Sequence, residues 1–243
     1  MFMKNNISFS FKNKKVLILG GSKGIGYTIS NEFEKSGACV YVASRKNHKD
    51  FYNHIQCDVL NITEINNVYN EIIIKEEKID IVVNCVGTNL CEKIEHITED
   101  EWDRLEKINL KSYFFSCKEA IKQMKKQKSG VIVNISSIAG RHRSLVSGAH
   151  YVASKAGIIG LTKQLAFEVA KYGIRINVLC PSQTMTDMLK NSMTKSEIDE
   201  LSKDIPLGRI ASTYEQASPV LFLCSNESSY ITGAVLDVNG GQL

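Results

Sequence analysis

Tyr151 and Lys155 stand four residues apart in the segment Tyr151-Val152-Ala153-Ser154-Lys155. On a helix, positions i and i+4 share a face, so this spacing sets a phenol beside an ammonium. A free phenol has a pKa of about 10, and a neighbouring cation favours phenolate. That brings Tyr151 toward the range useful for proton transfer near neutral pH. Tyr-x3-Lys recurs by chance in many helices, so the pair needs company. Ser136 and Ser137 supply it, ending an apolar run with Ser137 fourteen residues before Tyr151. Ligands of an open parallel sheet bind beyond the carboxyl ends of its strands, where Ser137 can hydrogen-bond a substrate oxygen.

A second constellation lies near the amino end. An apolar run enters Gly20-Gly21-Ser22-Lys23-Gly24-Ile25-Gly26, and a helical pattern follows. A tight strand-to-helix turn needs residues that accept positive φ, and close approach of a pyrophosphate needs positions without Cβ. The helix start then offers free N–H groups and a positive dipole end to the phosphates. The spacing is Gly-x3-Gly-x-Gly, not the commoner Gly-x-Gly-x-x-Gly. Dinucleotide sites for NAD place a carboxylate at the end of the second strand, and NADP sites place an arginine nearby. Here that strand ends Ala43-Ser44-Arg45-Lys46, with no acid. Arg45 can pair with a 2′-phosphate and Lys23 adds a second positive charge, so NADP(H) is expected over NAD(H).

Composition narrows the alternatives. The 30 basic residues are spread along the chain for a net charge of +4, and pairs such as Lys125–Lys126 read as solvated helix faces. No basic face suited to nucleic acid emerges. Seven cysteines, an odd number with no CxxC, fit a reducing, cytoplasmic setting without a disulfide framework. The histidines, His48 and His54 among them, lack ligand spacing, so no metal is expected. No secretory leader and no apolar run of membrane-spanning length is legible.

These residues need a scaffold. Strands are expected at Val16–Leu19, Ala38–Ala43, His54–Asp58, Ile79–Asn84, Gly130–Ser136, Ile174–Leu179 and Ala234–Val238. Helical patterns fill Gly24–Ser36, Ile62–Glu77, Thr98–Lys128, Ala149–Tyr172 and Tyr214–Ser225, with Thr98 and Glu101 forming a capping box. β-Branched runs imply strands covered on both faces, and the alternation implies a doubly wound α/β fold. No linker or repeat divides the chain, so residues 1–243 read as one domain. The polar, Met-containing stretch Ser182–Gly208 is long for a connection and reads as a substrate-binding loop or lid. Asn109 is a polar amide at a core-facing position of the long helix.

Taken in order, Gly20–Gly26, Cys57-Asp58-Val59, Asn84-Cys85-Val86-Gly87, Asn109, Asn134–Ser137, Tyr151-x3-Lys155, Asn177–Pro181 and Val238–Gly241 resemble the short-chain dehydrogenase/reductase family over nearly the whole chain. The resemblance implies a Rossmann-type domain with a seven-stranded parallel sheet and helices on both faces. It implies a Ser137–Tyr151–Lys155 site, with Asn109 in a proton relay. As cofactor contacts it implies Gly20, Ser22, Lys23, Gly24, Ile25, Gly26, Ser44, Arg45, Asp58 and Val59 at the adenine side. Toward the nicotinamide it implies Asn84, Gly87, Tyr151, Lys155, Pro181, Thr184 and Thr186. Three positions depart from the family pattern: Leu19 replaces a threonine, Cys85-Val86 replace Asn-Ala, and Ser182 replaces a glycine.

The activity so implied is NADPH-dependent reduction of a ketone, with Tyr151 donating the proton. Within the family, His150-Tyr151, Ala153–Gly157 and Val238–Gly241 look closest to the 3-oxoacyl-thioester reductases, whose substrates ride on a carrier or coenzyme A. A keto-sugar or another polar ketone is the alternative substrate. A nucleotide-binding scaffold without turnover is a third reading, at odds with the intact Tyr151 and Lys155. The resemblance also implies a homotetramer, or a dimer, packed through the two long helices and the C-terminal strand. Tyr113, Phe114 and Phe115 on one helix and Leu165 and Phe167 on the other would supply the apolar faces.

Overall fold

The apolar runs become seven strands: β1 (Lys15–Leu19), β2 (Cys39–Ser44), β3 (His54–Gln56), β4 (Ile81–Asn84), β5 (Gly130–Ile135), β6 (Ile174–Pro181) and β7 (Val235–Val238). The computed structural model describes residues 9–46, 51, 53–144, 146–192 and 194–243; His48 and Met193 lie outside them. The strands hydrogen-bond in the order β3-β2-β1-β4-β5-β6-β7, every pair parallel. Around them run α1 (Gly24–Lys35), α2 (Ile62–Glu76), α3 (Glu99–Glu106), α4 (Ser112–Gln127), α5 (Ala149–Val169), α6 (Asp187–Ser192), α7 (Lys195–Lys203) and α8 (Thr213–Cys224).

The strand period of two sorts the core into layers. Leu17, Leu19, Val82 and Ile132 face α2, α4 and the end of α5. Val16, Ile18, Ile81, Val83 and Val133 face α1 and α8 on the other side. Strand order reverses between β1 and β4, and that switch point opens a crevice at the carboxyl edge. The two flanking turns touch there: a Cβ on Gly20 would lie 2.8 Å from the Cys85 carbonyl oxygen.

Two regions differ from the periodicity. The expected helix Thr98–Lys128 is three pieces, α3, a π-helical turn (Lys107–Lys111) and α4. The wider turn changes the helix phase, so Leu105, Asn109 and Tyr113 are all buried. The stretch 182–208 is not a bare loop: it holds α6 and α7, and Thr194 with Glu197 closes a capping box on α7. α7 has no buried residue, so no apolar periodicity announces it.

A buried polar chain ties the layers together. The Tyr69 hydroxyl and Ser116 Oγ are 2.7 Å apart, and Ser116 donates to Asn84 Oδ1 at 2.5 Å. Asn84 Nδ2 donates to Asn134 Oδ1 at 2.8 Å, and Asn134 Nδ2 to Thr162 Oγ1 at 2.9 Å. Each link satisfies a group that would be costly to bury alone.

Arg175, half-buried on β6, gathers the chain beyond α8. Its Nη1 donates to the Leu223 and Ile231 carbonyls at 2.9 and 3.2 Å, and its Nη2 to Ser225 O at 3.0 Å. The Leu223 and Ser225 carbonyls lie at the negative end of α8, where a cation is favoured. Arg175→Met keeps the stem but removes three charge-assisted hydrogen bonds, leaving the carbonyls only their contacts from Asn177 and Ser228. It is expected to lower unfolding free energy by about 2–4 kcal/mol in urea titrations. A loss under about 0.5 kcal/mol would mean that water replaces the guanidinium without penalty.

Candidate active site

Ser137 follows β5 and caps a one-turn 3-10 helix (Ile138–Gly140), its Oγ accepting from Ala139 N at 3.1 Å. The same hydroxyl faces the Tyr151 phenol closely enough to lower its pKa. Tyr151 lies in the first turn of α5, and Lys155 follows one turn on, buried. Lys155 Nζ donates to the Ile135 carbonyl at 3.2 Å and sits 5.7 Å from the Tyr151 ring centroid. Its other wall is Tyr113, 5.6 Å to the centroid, whose hydroxyl donates to the Val86 and Ile135 carbonyls at 2.7 and 3.0 Å.

The electrostatics reverse one expectation. Spacing suggested that Lys155 lowers the Tyr151 pKa, but burial raises it, opposed by the Ser137 hydroxyl. Tyr151 therefore stays protonated at neutral pH, the state of a donor. Burial also pushes the Lys155 ammonium down from 10.5 to about 8. Between those two values the unfolded chain holds a proton that the folded chain has released. Stability carried by Lys155 therefore rises with pH across that window, by at most about 1.4 kcal/mol per unit. Urea unfolding of wild type and Lys155→Met at pH 7.5, 9 and 10 is expected to shift in favour of wild type as pH increases. Parallel pH profiles would remove the buried ammonium from the account.

Across the crevice, the glycine turn is shaped by what cannot fit. Gly20 has φ +85° and Gly24, which opens α1, has φ +54°. A Cβ on Gly26 would sit 2.3 Å from the Gly20 carbonyl oxygen. α1 begins after Lys23 with no side-chain cap and no acid in its first turn, so its N–H groups remain open to an anion. Ser22 and Ile25 are half-buried along the turn. Lys23 and Arg45 are exposed, and neither forms an ion pair among the described residues. Ser44 Oγ lies 2.8 Å from His54 Nε2. Asp58 accepts from Leu60 N at 3.1 Å, with Val59 buried beside it. This cradle, with free N–H groups and two free cations, fits a phosphorylated dinucleotide.

Other residues singled out by sequence fall into place unevenly. Gly87 joins the crevice: a Cβ there would lie 3.5 Å from Lys155 Nζ and 3.8 Å from Asn109 Oδ1. Thr186 reaches the glycine turn, its Cγ2 3.2 Å from where a Cβ on Gly24 would stand. Pro181 ends β6, buried, whereas the Thr184 hydroxyl is used locally, donating to Ser182 O at 2.9 Å. The Asn84 side chain turns into the buried polar chain, which leaves its backbone as the part that faces the crevice edge. The Asn109 amide is also committed: it brackets the Thr88 backbone at 2.9 Å in both directions and donates to Ser154 Oγ at 3.2 Å. Tyr113 is fully buried against Lys155 instead of on an outer face, while Phe114 and Phe167 do point outward. Tyr113 stands four residues after Asn109 and eight after Leu105, so an i, i+4 count from either buried residue marks it as inward-facing.

Comparison with known proteins agrees with this geometry. A family model described as enoyl-(acyl carrier protein) reductase matches residues 20–242. The 3-oxoacyl-[acyl-carrier-protein] reductase of Chlamydia muridarum is 36% identical over 242 residues, spanning 94% of this chain and 97% of its own. Among solved structures, the ligand-free aldohexose dehydrogenase of Thermoplasma acidophilum superposes with a TM-score of 0.92 at 34% identity, covering 96% of each chain. ElxO with NADP bound gives a TM-score of 0.90 at 32% identity, over 95% of this chain and 98% of its own. On a family-model match over residues 20–242 and relatives above 30% identity over nearly the whole chain, the chain belongs to the short-chain dehydrogenase/reductase family of oxidoreductases.

Proposed function

We propose that the protein reduces the ketone of a 3-oxoacyl thioester to a secondary alcohol, using NADPH. The observation that carries this reading is the grouping of Ser137 and Tyr151 beside a buried Lys155, one crevice away from the open start of α1. The α1 N–H groups and Ser22 hold the pyrophosphate, and Lys23, Ser44 and Arg45 hold the 2′-phosphate. Asp58 and Val59 flank the adenine, and Gly87, Pro181, Thr184 and Thr186 border the nicotinamide end. When bound, the nicotinamide supplies the hydride. Ser137 and Tyr151 orient the substrate oxygen, and the Tyr151 hydroxyl gives it a proton. Lys155 binds ribose hydroxyls, and its charge stabilises the phenolate left behind. Asn109 holds the Thr88 backbone and assists the return of a proton from solvent. Residues 182–208 form the substrate-facing lid of a single domain.

The similarity to the Chlamydia muridarum reductase favours a carrier-bound thioester. The similarity to an aldohexose dehydrogenase favours a polar, sugar-like substrate as the second reading. Outward-facing Phe114 and Phe167 support assembly into a tetramer through α4 and α5. All seven cysteines are free, as suits the cytoplasm, and no helix among the described residues is long and apolar enough to cross a membrane. The deciding experiment is NADPH oxidation with acetoacetyl thioester against a panel of keto-sugars. Thioester-dependent oxidation is expected; oxidation by the sugars alone would transfer the function to the second reading.

A further inference from the structure

The turn that begins at Ser137 is held on two sides. Its inner side lies on α5: a Cβ on Gly140 would come 2.6 Å from the Lys155 carbonyl carbon, and Ser136 Oγ donates to Lys155 O at 2.7 Å. Its outer side is carried by Arg141, which reaches over the end of β6 to Asp237 on β7. Arg141 Nε donates to both Asp237 oxygens at 3.2 Å, and Nη2 to Oδ2 at 3.0 Å. Two inter-strand spacings, roughly 10 Å, separate β5 from β7, a gap that the length of an arginine closes. Within the turn, Gly140 N donates to Ser137 O at 3.0 Å and Arg141 N to Ile138 O at 2.9 Å, so residues 137–141 form one hydrogen-bonded piece.

The Arg141 and Asp237 side chains are 38% and 26% exposed, and a pair so placed adds little to overall stability. What a bidentate fork does add is orientation, since two N–H···O contacts fix direction as well as distance. We propose that the Arg141–Asp237 fork is an outer latch that holds the Ser137 hydroxyl in register with Tyr151, making both positioning residues. The proposal rests on the reading of Ser137 and Tyr151 given above.

The test uses Arg141→Ala, Asp237→Asn, the double variant and Arg141→Lys. Each of the first two is expected to lower kcat for acetoacetyl thioester roughly tenfold, with the KM for NADPH unchanged, because small misplacements of a reacting group cost rate more than binding. The double variant should fall no further than the singles, the signature of one shared interaction. Arg141→Lys keeps the charge without the fork and should recover only part of the rate. A second readout needs no turnover: the Tyr151 resonance in 13C-tyrosine spectra, assigned by its loss in Tyr151→Phe, should titrate higher in Arg141→Ala as the Ser137 hydroxyl moves away. Wild-type kcat with wild-type phenol titration in both single variants overturns the latch. Should no ketone be reduced by the wild type, the phenol titration decides alone. A raised value then supports the latch while the thioester reading falls, and an unmoved value overturns it.

Discussion

Replacing Tyr151 with phenylalanine is expected to lower turnover by about 10²–10⁴-fold, the range for loss of a general acid. The change deletes one oxygen and keeps the ring, so the first turn of α5 and the wall beside Lys155 remain packed. Ser137 survives as a hydrogen-bond donor to the substrate, and the α1 cradle is untouched. NADPH binding, read by its fluorescence, should therefore stay within about twofold of wild type while kcat and kcat/KM fall together. Burial keeps the Tyr151 phenol protonated at neutral pH, the form from which a proton can be given. A variant that turned over at more than about a tenth of the wild-type rate would place the proton source elsewhere.

The second large effect is expected from Gly26→Ala, a change of one methyl group. Its Cβ would meet the Gly20 carbonyl oxygen at 2.3 Å, and that contact is backbone on backbone, with no side chain to swing away. Either the turn opens or α1 shifts, and both move the N–H groups that face the pyrophosphate. NADPH affinity should drop by roughly 100-fold or more, the scale of about 3 kcal/mol. Overpacking should also cost about 1–3 kcal/mol of stability. Titration of NADPH fluorescence and thermal unfolding measure the two separately. Near-normal affinity would show that the cofactor does not sit on this turn.

Much of this molecule is legible from residue order, for identifiable reasons. Runs such as Val16–Leu19 and Val40–Ala43 are apolar on both faces because helices cover both, and no amphipathic helix carries that pattern. Gly20 and Gly24 are legible because their positive φ values leave few alternatives. The π turn at Lys107–Lys111 is not, since its one-residue change of phase looks like an ordinary long helix. α7 was within reach: Thr194 and Glu197 repeat the Thr98–Glu101 spacing, but without a buried face the cap stands alone. The direction of the Tyr151 shift depends on how deeply α5 is buried, and residue spacing carries no depth. Asn84 shows the same limit, because its place beside the crevice says nothing about which way the side chain turns.

The hydrogen-bonded line from Tyr69 through Ser116, Asn84 and Asn134 to Thr162 has a consequence for how this chain can change over generations. Its members come from α2, α4, β4, β5 and α5, and each donates to or accepts from the next. A substitution that removes one polar group strands its neighbour in a dry layer, a loss of about 1–3 kcal/mol. Replacing two adjoining groups together by apolar ones of matching shape escapes that loss. Variation at these five positions is therefore expected to proceed by paired exchange, while the outward positions of α7 drift singly.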